Sequence, residues 1–216
     1  MVSAGLEILG LSFCVIGSLL VMVSCALPMW KVTAFIEANI VVAQTIWDGL
    51  WMSCVVQSTG QMQCKVHDSV LALSHDLQAA RALTIISSVM GVLGLMVVIA
   101  GAQCTNCIRV EYVKARVVNA GGVVYILSAL FVLVPLCWMA NNIISDFYNP
   151  QVPPSKKREI GAALYIGWAA SALLLIGGSM LCCSCPSSGN SGYSAKYAPT
   201  KRATPNGGEY DKRNYV

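Results

Sequence analysis

Charge is absent from four long stretches of this chain, residues 8–30, 82–108, 117–145 and 160–183, none of which contains Asp, Glu, Lys or Arg. The shortest runs to 23 residues, and about 20 residues of α-helix cross a hydrocarbon core roughly 30 Å thick. A helix in a soluble globule is usually much shorter. The pattern predicts four transmembrane helices, at 8–28, 81–108, 117–145 and 160–183. The first is expected to stay in the mature chain. Glu7 is its one early side-chain charge, no basic residues precede the apolar run, and the run is longer than the core of a signal peptide.

Residues 29–80, between the first two spans, read differently. The segment is too long for a simple connector and long enough for a small sheet. Ile40, Val41, Val42 and Ile46 lead into Trp47, then Leu50, Trp51 and Met52 approach Cys54, and Met62 through Val66 return after the turn signal Ser58, Thr59, Gly60. Cys54 and Cys64 are symmetric about Thr59. A hairpin that pairs them sets Val55 opposite Gln63, Val56 opposite Met62 and Gln57 opposite Gln61, with Gly60 in the left-handed last position of a three-residue loop. Directly opposed strand residues lie within disulfide reach. Two free thiols are the alternative, and an outside location favours the disulfide. The expected fold class is a mainly α membrane protein, a four-helix transmembrane bundle carrying a small extracellular antiparallel β-sheet.

Composition agrees and removes other classes. The chain of 216 residues is 56% hydrophobic and 11% charged, against about 25% charged in an average soluble domain. Its net charge of +4 is spread over loops and tail, without the basic, aromatic-interleaved face that nucleic acid requires. The distribution of those charges predicts topology. Arg109, Lys114 and Arg116 face one Glu111 in segment 109–116, and Lys196, Lys201, Arg202, Lys212 and Arg213 lie in segment 184–216. By the positive-inside rule these segments and the N-terminal residues 1–7 are cytoplasmic, leaving 29–80 and 146–159 outside. Lys156, Lys157 and Arg158, just before the fourth span, count against this assignment. Cysteine placement supports it, with Cys54 and Cys64 outside and Cys104, Cys107, Cys182, Cys183 and Cys185 at the inner ends of the second and fourth spans. Cys14, Cys25 and Cys137 fall within spans and read as small hydrophobes.

Trp30, then Gly49, Leu50 and Trp51, then Cys54 and Cys64, reproduce the Trp, Gly-Leu-Trp, Cys, Cys pattern in the first outside loop of a four-span protein. The chain resembles a claudin. The likeness continues through Arg81, the run Asp146, Phe147, Tyr148, Asn149, Pro150, and the terminal Tyr215, Val216, and is closest to the subgroup of claudins three, four, six and nine. The resemblance implies a left-handed bundle whose copies polymerise side by side in one membrane and pair head to head across cells, as tight-junction strands of epithelial plasma membranes. It implies calcium-independent adhesion, sealing of the paracellular space, and partners that are the protein itself, other claudins and membrane lipid. Trp30, Gly49, Leu50 and Trp51 would anchor the sheet at the membrane surface, matching the interfacial preference of Trp. Phe147, Tyr148, Asn149 and Pro150 become candidates for head-to-head contact, although the two aromatics could equally cap a helix end. An auxiliary channel subunit of the same four-span superfamily shares Gly-Leu-Trp and the paired cysteines. Asn149-Pro150 and the terminal Tyr-Val favour the claudin.

The remaining motifs sort by position. Cys104, Cys107, Cys182 and Cys183 abut the inner membrane face, where palmitoylation is the economical use of a thiol, as the resemblance also implies. Tyr215 and Val216 offer a free carboxylate and an apolar last side chain to a PDZ groove, with zonula occludens scaffolds as implied partners. Lys65 stands where cation-conducting claudins carry an acid. No charge lies between Cys54 and Cys64, so Lys65 dominates the local field and predicts a cation-disfavouring barrier. A clostridial enterotoxin-binding stretch of close relatives reads Asn-Pro-Leu-Val-Pro. Here Asn149, Pro150, Val152 and Pro153 match, while Gln151 replaces the apolar residue and argues against toxin binding. His67-Asp68 and His75-Asp76 lack metal-ligand spacing and a third ligand, and no catalytic fingerprint occurs. No cofactor, metal or enzymatic activity is expected.

Overall fold

A computed structural model describes residues 4–33, 45–56, 60–67, 69, 73–101, 111–153 and 156–184. Four helices, α1 (Ala4–Ala26), α2 (His75–Gly101), α3 (Glu111–Tyr148) and α4 (Ala162–Cys183), occupy the charge-free stretches. All four are long and apolar enough to cross a membrane. Their ends differ from the expected ones in an instructive way. α1 stops at Ala26 because Pro28 disfavours helical backbone in the residue before it. α2 begins six residues before Arg81, and the stretch Glu111 to Arg116, expected as a loop, is the first part of α3. Charge bars a side chain from the hydrocarbon but does not bar it from a helix. The 38 residues of α3 span about 57 Å at 1.5 Å each, far more than a bilayer core, so both its ends carry charges without penalty.

Consecutive helices in the bundle pack against one another, and α4 closes the ring on α1. No hydrophobic force drives helices together in lipid, so close contact depends on small side chains and internal hydrogen bonds. Between α2 and α3 the Ser87 hydroxyl donates to the Ser128 carbonyl oxygen at 2.8 Å, and the Ser128 hydroxyl donates to the Ser87 carbonyl oxygen at 2.9 Å. Ser24 Oγ donates to the Ala163 carbonyl oxygen at 2.8 Å and ties α1 to α4. Large apolar side chains such as Leu93, Met96 and Trp138 point outward instead.

At one end of the bundle lies an antiparallel sheet of five strands, β1 (Lys31–Thr33), β2 (Thr45–Asp48), β3 (Met52–Val56), β4 (Met62–Val66) and β5 (Arg158–Ile160), in the order β4-β3-β2-β1-β5. The expected hairpin is present, with Cys54 opposite Cys64, Val55 opposite Gln63 and Val56 opposite Met62. Gly60 has φ +78°, the left-handed conformation its side chain-free Cα tolerates. Residues 40–42 and 57–59 lie outside the described residues, and so does the expected pairing of Gln57 with Gln61. Leu50 and Trp51, expected to lead along a strand, form the turn between β2 and β3. β1 and β5 had no strand signal, being three residues each. β5 comes from the segment before α4, so the two segments that join helices at this end build one sheet.

Candidate functional site

The Trp and Gly-Leu-Trp residues meet where the sheet joins the bundle. Trp30 leaves α1 through Pro28 and is fully buried, with Nε1–H donating to the Ser24 carbonyl oxygen at 2.9 Å. Trp30 is a core residue of this joint. A tryptophan with 0% exposure presents nothing to a membrane surface, and it holds the sheet through core packing and one satisfied N–H. Its backbone joins three elements. Trp30 N–H donates to the Asp48 carbonyl at 3.1 Å, and its own carbonyl accepts from Gly161 N–H at 3.1 Å, at the start of α4. A Cβ on Gly49 would sit 2.3 Å from Pro28 Cα, so the first residue of Gly-Leu-Trp is small because two backbones touch there. Leu50 is wholly buried, and Trp51 is partly exposed.

Arg81 closes this joint. It projects from the second turn of α2, and only 8% of it is exposed. Its Nε donates to the Leu50 carbonyl oxygen at 2.7 Å and its Nη2 donates to the same oxygen. The guanidinium carbon lies 4.6 Å from the centroid of the Trp51 ring. A buried charge needs such compensation, since desolvation would otherwise dominate. Sequence reasoning named Arg81 without a role. Its partner is a backbone carbonyl, which has no signature in a sequence.

Cys54 and Cys64 are joined in a disulfide across β3 and β4. Cross-strand pairs point to one side of a sheet, so the register sorts side chains by face. Lys65 is opposite Ser53, Ser53 opposite Asp48, and Asp48 opposite Lys31, which puts all four on one face. Arg158, two residues from Ile160 opposite Lys31, joins them there. The disulfide, Trp47, Val32 and Glu159 take the other face. Arg158 Nη2 lies 3.3 Å from Asp48 Oδ2, and its Nη1 donates to Thr33 Oγ1 at 2.8 Å. The arginine that counted against the topology is thus committed to the sheet. Sequence reasoning missed Asp48, Thr33 and Arg158, whose separation along the chain hides their contact.

The tip of α3 divides its two aromatics. Phe147 is half-buried beneath Lys157, whose Nζ is 5.4 Å from the ring centroid, while Tyr148 is 78% exposed. Asn149 continues the helix end with a bond from its N–H to the Ser145 carbonyl, and its Oδ1 accepts from Gln151 N–H at 3.0 Å. Asn149, Pro150 and Gln151 are exposed. His67 Nε2 lies 3.4 Å from the Gly49 carbonyl oxygen, and Asp68 lies outside the described residues. At the opposite end of α4, Cys183 is exposed, whereas Cys182 is half-buried with its thiol directed at the Asn119 carbonyl, 3.8 Å away. Cys104, Cys107, Cys185, Tyr215 and Val216 lie outside the described residues.

The profile of the PMP-22/EMP/MP20/Claudin family matches residues 4–181. Human Claudin-6 is 56% identical over 220 residues, covering 100% of both chains. Human Claudin-4 is 58% identical across 94% of this chain and 97% of its own, and mouse Claudin-3 is 54% identical across 99% and 100%. This likeness does not favour the auxiliary channel subunit. The chain therefore belongs to the PMP-22/EMP/MP20/Claudin family, and within it to the claudins, multi-pass membrane proteins of the tight junction.

Proposed function

We propose that this claudin forms tight-junction strands that seal the space between epithelial cells, mediate calcium-independent adhesion, and disfavour cations over anions. The reading is supported foremost by Lys65. It is an exposed cation beside the disulfide hairpin, on the sheet face it shares with Lys31 and the paired Asp48 and Arg158. An ammonium in a narrow aqueous passage repels Na⁺ and tolerates Cl⁻. The protein acts through assembly and fixed charge and catalyses no reaction. Its partners are copies of itself and other claudins, beside it in the membrane and opposite it on the next cell. The exposed Tyr148, with Asn149 and Pro150, supplies the head-to-head contact, and Phe147 beneath Lys157 supports it.

Residues 29–80 and 146–159 face outward on this reading, and 1–7, 109–116 and 184–216 face the cytoplasm. There Tyr215 and Val216 engage PDZ scaffolds of the zonula occludens type. Cys183 is the preferred acylation site of its pair, because Cys182 turns its sulfur into the bundle; Cys104 and Cys107 serve likewise. Gln151 disfavours clostridial enterotoxin as a ligand, because its amide would enter a pocket shaped for leucine without a partner.

The test is a dilution potential across an epithelial layer expressing Lys65→Asp. The Na⁺ to Cl⁻ permeability ratio should rise. An unchanged ratio, with the variant seen at junctions, would remove Lys65 from the selectivity mechanism.

A further inference from the structure

We infer that Lys31 is a second residue setting charge selectivity, acting on the same ion path as Lys65. The inference rests on the reading of Lys65 given above and extends it across the sheet. Lys31 and Lys65 occupy one cross-strand row, Lys65–Ser53–Asp48–Lys31, and therefore one face. Three strand spacings separate them, about 14 Å at 4.7 to 4.9 Å each. That is more than a Debye length in physiological salt, so each charge governs its own portion of the face.

Asp48, directly opposite Lys31, would be expected to cancel it. The structure gives Asp48 a different partner, Arg158, which is held in place by Thr33. Among the described residues Lys31 makes no ion pair. Among the described residues the register puts three cations on this face, Lys31, Lys65 and Arg158, with the one carboxylate of Asp48, which is paired to Arg158. Glu159, paired with Val32, points to the other side and cannot compensate. The row begins and ends on a basic residue, although the whole segment from residue 31 to residue 81 has one more acid than base.

The test uses dilution potentials on epithelial layers expressing Lys31→Gln, Lys31→Arg, Lys31→Glu and Lys65→Asp in the full-length chain. An ion passing about one Debye length from the removed charge gives a shift of about twofold in the Na⁺ to Cl⁻ ratio for Lys31→Gln and about fourfold for Lys31→Glu. Lys31→Arg should leave the ratio unchanged. The shift should shrink as the ionic strength of both bathing solutions is raised, which a leak caused by damaged strands would not do. If Lys65→Asp moves the ratio while Lys31→Gln and Lys31→Glu, present at junctions, do not, Lys31 is outside the path and the reading of Lys65 survives. If none of them moves it, both fall. If Lys31→Arg fails to reach junctions, the position serves packing rather than charge, and the inference is likewise overturned.

Discussion

The Arg81 guanidinium, two turns into α2, grips the carbonyl oxygen of Leu50, 31 residues earlier in the chain, with Nε donating at 2.7 Å and Nη2 bound to the same atom. A cation at the end of a membrane span thereby satisfies a turn of the sheet, and the Trp51 ring covers it. Arg81→Ala should leave that carbonyl unsatisfied and cost about 2 to 4 kcal/mol. Arg81→Lys should recover only part of this, because an ammonium cannot reproduce the planar fork. Thermal unfolding of the detergent-purified variants should rank them wild type, Lys, Ala. Equal stability of Ala and wild type would show that the joint does not depend on this contact.

Gly49 predicts a second break at the same joint. With a Cβ 2.3 Å from Pro28 Cα, Gly49→Ala must push two backbones apart, a change in the overpacking range of about 1 to 3 kcal/mol. Gly60→Ala at the hairpin tip should cost about 1 to 2 kcal/mol from its left-handed backbone, with open space around it. Surface delivery should suffer more for Gly49→Ala. The reverse order would mean that hairpin closure, rather than the sheet–helix joint, limits folding.

The disulfide closes a separation of ten residues between Cys54 and Cys64, and its contribution should be about 2 to 3 kcal/mol. Cys54→Ala should loosen β3 and β4 and abolish adhesion between expressing cells, while the helices still insert. Limited proteolysis is expected to cut the variant near residues 57–60 and spare the wild type. Protection of both to the same extent would assign the hairpin's order to strand pairing alone.

Removing Tyr215 and Val216 should abolish capture of the tail by PDZ domains in a pull-down and leave strands visible by freeze-fracture, since strand contacts are proposed to lie in the membrane and outside it. Undiminished capture would move recognition upstream in the tail.

Much of this protein follows from one-dimensional features. Four charge-free stretches suffice for four spans, because a bilayer tests residues one segment at a time by length and polarity. The Cys54 to Cys64 register was also legible, since two strands joined by a short turn fix their pairing locally. What the sequence left undecided depends on partners distant along the chain. β5 is three residues of mixed polarity that become a strand only beside β1. Arg158 read only as one of three basic residues before the fourth span, and its contacts with Asp48 and Thr33, from two other strands, came with the packed sheet. Trp30 read as an interfacial residue, and became a core residue once Ser24, Asp48 and Gly161 converged on it. Periodicity and charge report what a segment requires of its surroundings. Which other segment meets that requirement, and on which face of the sheet Lys31 and Lys65 come to lie together, is decided when the elements pack.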